Sequence, residues 1–172
     1  MPGVIDENIV VVDHNPEWRQ LFEKEKVEIE FSINNSKIWI EHIGSTAVEG
    51  LVAKPIVDIQ LGIIDWTYLE IVKPALIGLG YEYFGEAGVP GRYYFRKRGT
   101  GAFNIHVVVR ESTLWNNNIL IKDYLKNNPA IAIEYGKIKK LAIENGFDTL
   151  LAYSAYKNEF INRLLDKIDH QK

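Results

Sequence analysis

The chain has 172 residues, 47% of them hydrophobic, a formal net charge of -3 and no cysteine. This length suits one domain with an ordinary buried core, and the lack of cysteine excludes disulfides and thiolate metal sites. The acidic balance argues against a protein that coats nucleic acid and suits small ligands better, while leaving room for a local basic pocket.

The opening Met1-Pro2-Gly3-Val4-Ile5-Asp6-Glu7 lacks the basic and then apolar regions of a signal peptide, and no apolar run approaches ~20 residues. The expectation is a soluble, cytoplasmic protein with no membrane partner, residues 1–172 forming one domain.

Ile9 to Val12 reads as a short strand. Asn15-Pro16-Glu17 then starts a helix, with Asn15 as cap and Pro16 at the first helical position. Trp18, Leu21, Phe22, Ile29 and Ile33 make an apolar stripe along it. Lys37 to Ile43 has strand character. Ile56 to Ile63 is a second strand, with Val57, Ile59, Leu61 and Ile63 on a buried face and Asp58 and Gln60 on the other, towards a site or solvent. Asp65 caps a helix running from Trp66 towards Leu79, which Pro74 must kink or restart. Tyr81 to Phe84 is a further strand, and the turn formers from Gly85 to Gly91 predict a mobile loop.

Arg92 to Lys97 and Ala102 to Arg110 read as a hairpin. Ser112 caps a helix to Asn127, Asn128-Pro129 starts another to Asn145, and a last helix spans about Ser154 to Ile168. The pattern predicts an α+β domain: a mixed or antiparallel sheet flanked by helices, with a helical C-terminal third.

The chemistry concentrates between Glu41 and Gly62. Gly44-Ser45-Thr46 is a turn of small and hydroxyl residues whose backbone N–H groups are open to an anion, followed by Asp58 on the next strand. The same spacing also suits a tight connection with Ser45 or Thr46 as a helix cap. A P-loop does not fit, because Lys54 precedes Pro55 rather than Ser or Thr. His42 and His106 are candidates for proton transfer or metal binding, and equally for core histidines with satisfied hydrogen bonds.

From His42 to Ile59 the chain resembles the hallmark of the GrpB family, whose members have a nucleotidyltransferase fold; Glu49 replaces the usual proline. The resemblance extends to Asp13, Pro16 and Trp18, to His106, to Lys122-Asp123-Tyr124-Leu125, to Tyr135 to Lys139, and to Tyr153 to Lys157 with Phe160-Ile161. Lys122 stands where many members have arginine, which alone can grip a phosphate with two parallel bonds, and Asn104 stands at the first histidine of a His-x-His pair.

The resemblance implies a nucleotide or phosphorylated small molecule held by Gly44, Ser45 and Thr46, with Lys122, Lys139 and Lys157 as further anion contacts. Arg96 enters from its position rather than from the resemblance: Arg92, Arg96 and Arg98 adjoin the glycine-rich loop and can close over an anion, with Arg96 ranked first, although arginines on an exposed hairpin are common. The resemblance further implies catalytic roles for Asp58, His106 and Lys54, and a divalent metal, magnesium or a transition metal, on Asp58 and His106. The superfamily uses two acids for two magnesium ions, and Gln60 occupies the second position, where a neutral amide is a weak ligand. Two functions follow as alternatives. One is metal-assisted nucleotidyl or phosphoryl transfer; the other is a binding module that has lost catalysis, with coenzyme A precursors worth testing because related domains are fused to dephospho-CoA kinase.

Overall fold

The computed structural model describes residues 5–172; the first four positions, part of the stretch that lacks a signal-peptide pattern, lie outside it. The elements are α1 (Glu17–Ile33), β1 (Ile38–Ile43), β2 (Val57–Ile63), α2 (Leu69–Gly78), β3 (Glu82–Tyr83), β4 (Tyr93–Lys97), β5 (Phe103–Val109), α3 (Thr113–Asn127), α4 (Pro129–Glu144) and α5 (Leu150–His170). Single 3₁₀ turns occupy Ser45–Ala47 and Trp66–Tyr68.

The five strands form one mixed sheet in the order β1-β2-β5-β4-β3. β2 pairs parallel to β5, and the other neighbours are antiparallel. The register sets Asp58 beside Asn104 and Gln60 beside His106. Strand alternation sends Val57, Ile59, Leu61 and Ile63 into the main core, where they pack with Trp18, Phe22, Ile29 and Ile33 of α1 and Val72 and Leu76 of α2. The opposite face carries Asp58, Gln60 and Gly62.

That second face is buried as well. Gln60 is wholly inaccessible: its Nε2 donates to the Trp115 carbonyl at 3.1 Å, and its Oε1 accepts from Asn118 at 2.6 Å. Gly62 lets the Trp115 indole lie against the strand, since a Cβ there would sit 2.6 Å from the ring. α3 therefore covers β2, and its apolar side joins α4 and α5 in a second core around Leu125, Tyr135, Phe160 and Leu164, with Val48 and Leu51 from the turn region. Layers of helices thus lie on both faces of the sheet.

Most predicted elements are present, with informative differences. Ile9 to Val12 is not a strand: Asn8 bridges Thr149 and Val12 bridges Ala53, each as an isolated pair. Neither partner residue belongs to a strand of the sheet, so the pairs do not extend into a ladder. α1 starts at Glu17, one residue later than expected, with Asn15 Oδ1 accepting the Glu17 N–H at 2.9 Å. Pro74 sits inside α2, which neither breaks nor restarts there. α5 begins four residues before the expected Ser154, because Thr149 caps it and Asp6 accepts the Leu151 N–H. The loop expected to be mobile is braced by Arg92, whose Nη2 donates to the carbonyls of Glu86 and Ala87. Among the described residues, no helix is long and apolar enough to cross a membrane.

Candidate functional site

β1 ends at Ile43, and Gly44 turns the chain at φ +72°, ψ -170°, a conformation open essentially to glycine. The space is equally restrictive: a Cβ on Gly44 would lie 3.0 Å from Asp58 Oδ2. The bend and the aspartate of β2 therefore share one cleft.

Both oxygens of Asp58 are engaged. Lys54 Nζ donates to Oδ2 at 3.2 Å, and Asn104 Nδ2 donates to Oδ1 at 2.9 Å. His106 Nε2 approaches Oδ1 at 3.5 Å, while its Nδ1 lies 3.5 Å from Arg92 Nη1. A neutral imidazole with the proton on Nε2 satisfies both neighbours, donating to the carboxylate and accepting from the guanidinium. The Asn104 amide is oriented from behind, its Oδ1 accepting from Tyr94 Oη at 2.9 Å and from Arg98 Nη2 at 3.0 Å. Burial of Asp58 opposes its charge, yet Lys54, His106 and Lys157 outweigh this and hold the carboxyl well below the usual aspartate range. Burial and the Asp58 charge push the Tyr94 hydroxyl up to about 12.

The helical third supplies the other wall. Lys139 of α4 is almost fully buried, donating to Ser45 Oγ and, at 2.7 Å, to the Val52 carbonyl, so one ammonium ties both ends of the loop between β1 and β2. Its charge lies over the Tyr135 ring at 4.4 Å, and Lys157 of α5 lies over Tyr153 at 4.9 Å. Burial, then repulsion from Lys157 and Lys54, pulls Lys139 well below the ordinary lysine value. Burial lowers Lys157 and Lys54 too, against the attraction of Asp58.

These groups line a cavity of about 470 Å³ whose lining, among the described residues, includes five cationic side chains, Lys54, Arg92, Lys122, Lys139 and Lys157, and a single acid, Asp58; Lys122 also lies 3.8 Å from Glu41. Its remaining surface is largely apolar, including Ile43, Val89, Leu114 and Tyr153. Arg92 Nε is buried without a partner among the described residues. A larger open groove of about 1280 Å³ adjoins the cavity, with Thr46 and Lys122 lining both. His42 faces this groove, donating to or accepting from Thr46 Oγ1 at 2.8 Å and stacking on Phe22 at 4.7 Å.

Residues 8–167 match the family model described as GrpB protein. The chain belongs to the GrpB family. It is 31% identical to the glutamate-rich protein GrpB of Alkalihalophilus pseudofirmus, over 98% of this chain and all of that protein. It is 29% identical to the UPF0157 protein YqkA of Bacillus subtilis, over 89% of this chain but only 45% of that longer relative. The crystal structure of the conserved protein GrpB from Enterococcus faecalis superposes with a TM-score of 0.82 at 31% identity, over 92% of this chain and 96% of that one. The Cid1 poly(U) polymerase and terminal uridylyl transferase 4 of Trypanosoma brucei share the nucleotidyltransferase-like fold, with TM-scores of 0.55 and 0.56 at 13% and 15% identity. This chain spans 43% and 56% of those two structures.

Of the residues singled out in the sequence of this GrpB-family protein, Gly44, Ser45, Thr46, Lys54, Asp58, His106, Lys122, Lys139 and Lys157 all line the one cavity. Arg96 does not: its guanidinium bonds the Ile5 carbonyl at 2.9 Å, lies 3.7 Å from Glu82 and packs over the Phe84 ring. Arg92 occupies the place expected of it. Tyr135 and Tyr153 entered the sequence reading only as ends of segments that carry the resemblance, with no role in the site, although a signal existed: Tyr-x-x-x-Lys recurs on two successive helices, placing each ring one turn from a cavity lysine.

The implied divalent metal finds a poor donor set. Among the described residues, no group of three or more His, Cys, Asp or Glu side chains is placed to share an ion. Asp58 is committed to an ammonium and an amide donor, and Gln60 points at α3 rather than into the cavity. Magnesium, which requires an octahedron of oxygen ligands, would find one protein carboxylate with lysines beside it.

Proposed function

We propose that this GrpB-family protein binds a phosphorylated small molecule, of nucleotide size, in the cavity between the Gly44-Ser45-Thr46 bend and the lysines of α4 and α5. One observation carries the reading: five cationic side chains line one partly open cavity in which, among the described residues, Asp58 is the single acid. Burial lowers Lys54, Lys139 and Lys157, and neighbouring cations lower Lys54 and Lys139 further; a polyanion bound among them relieves both costs. The cavity falls in the usual range for small-molecule sites, and its apolar wall suits an uncharged ring system. The fold relationship to terminal uridylyl transferase 4, solved with bound dUTP, supports the same ligand class.

The test is a thermal-shift screen of nucleoside mono-, di- and triphosphates and phosphorylated metabolites, coenzyme A precursors included, each beside its unphosphorylated parent. The proposal expects stabilisation that requires the phosphate. Equal responses to parent and phosphorylated forms, or none at all, would reject it.

A second reading, nucleotidyl or phosphoryl transfer, is favoured by the contact of Asp58 with His106 inside the same cavity. Turnover of a bound nucleotide that disappears in Asp58→Asn, with binding retained, would establish it.

A further inference from the structure

The disagreement between the metal implied by the fold and the side chains of the site leads to a more specific statement. We propose that the cavity takes a polyphosphate chain as the free anion, with Lys54, Lys139 and Lys157 supplying the positive charge and no divalent cation bridging protein and ligand. This rests on the reading of the cavity as a phosphate site.

The argument starts from Asp58. In a metal-dependent site a carboxylate offers bare oxygen to the ion, whereas Asp58 has one oxygen on the Lys54 ammonium at 3.2 Å and the other on the Asn104 amide at 2.9 Å. A cation arriving there must break a buried ion pair and leave Lys54 uncompensated, which is strongly unfavourable. The second acid cannot be recovered by a side-chain rotation. Gln60 is fully enclosed and fixed by Trp115 and Asn118, so even a carboxylate at this position would face the carbonyl of Trp115.

The charge already in place acts in the same sense. Lys139 approaches the bend from α4 and Lys157 from α5, so the ammonium groups reach the Asp58 end of the cavity from separate elements. Adding a divalent ion would increase the repulsion that Lys157 and Lys54 already exert on Lys139, while adding a phosphate chain would offset it. The magnesium complex of the ligand, already partly neutralised, should bind less well.

The experiment is calorimetric titration of the whole protein with sodium tripolyphosphate at constant ionic strength, in EDTA and again in excess magnesium chloride, with magnesium and manganese chloride alone as further arms. The expected result is binding in EDTA that weakens at least about tenfold in magnesium. The metals alone should give no saturable heat. Lys157→Met should weaken binding in EDTA, whereas Lys24→Met, an exposed lysine outside the cavity, should not. Binding only when magnesium is present, or saturable binding of a metal alone at a stoichiometry of one that Asp58→Asn removes, would overturn metal independence and leave the phosphate site standing. Absence of binding in both EDTA and magnesium would overturn the phosphate site itself, and this inference with it.

Discussion

Replacing Gly44 with alanine tests whether the bend and Asp58 are mechanically coupled. At φ +72°, ψ -170° an alanine is held in a region essentially reserved for glycine, which costs about 1–3 kcal/mol. The new methyl would also stand 3.0 Å from Asp58 Oδ2, and overpacking of that kind adds about 1 kcal/mol. The single variant should therefore lose about 3 kcal/mol of unfolding free energy, measured by urea denaturation at neutral pH. The informative quantity is the coupling, obtained by making Gly44→Ala, Asp58→Ala and the double variant. Asp58→Ala removes the crowded oxygen but leaves the backbone strain, so Gly44→Ala should cost about 1 kcal/mol less in that background. The unpaired Lys54 left by Asp58→Ala is common to both and cancels. Strict additivity, or a Gly44→Ala penalty below about 0.5 kcal/mol, would refute the close approach on which the site is built.

Other outcomes follow from the same geometry. Burial holds His42 down to about 4, against a weaker pull from Asp58, so the unfolded chain binds more protons between pH 4 and 6.5 and stability falls as pH drops through that window. His42→Gln should narrow its stability gap to the parent protein by about 2 kcal/mol between pH 7.5 and 5; a gap independent of pH would contradict the buried neutral ring. Gln60→Glu should not create a metal site but should destabilise the protein by about 3–5 kcal/mol, because a carboxylate cannot donate to the Trp115 carbonyl. Magnesium-dependent stabilisation of that variant in thermal unfolding would show the opposite. Lys157→Met should leave unfolding free energy unchanged or slightly higher, since a desolvated ammonium is replaced by an apolar chain of similar length, while weakening tripolyphosphate about tenfold. Marked destabilisation with unchanged affinity would assign Lys157 to the scaffold.

Much of the site was legible because its parts are local. Gly44-Ser45-Thr46, Lys54 and Asp58 lie within one strand-turn-strand unit, and alternation along β2 correctly put Asp58 and Gln60 on the same face. The sequence could not say what covers that face. Gln60 is sealed by α3, which follows three further strands, so a polar residue that looked available to a ligand is a structural anchor.

Arg96 failed for a related reason. It alternates in phase with Arg92 and Tyr94, but its end of the strand meets the N-terminal segment, where Ile5 and Glu7 engage it from 91 and 89 positions away in the chain. The short segment from Ile9 to Val12 has strand-forming residues and no strand beside it, a fact that only the sheet order reveals. Lys139 and Lys157 could be assigned only by resemblance, since nothing in a helical lysine states which cavity it will meet.

The most direct measurement is a crystal structure of the protein soaked with tripolyphosphate in the presence of EDTA. The account predicts phosphate density beside the Gly44-Ser45-Thr46 bend, within hydrogen-bond reach of Lys157 and Arg92, with the Lys54 to Asp58 ion pair intact. Phosphate found instead in the neighbouring groove beside Lys126 and Lys137, with the cavity holding only solvent, would contradict it.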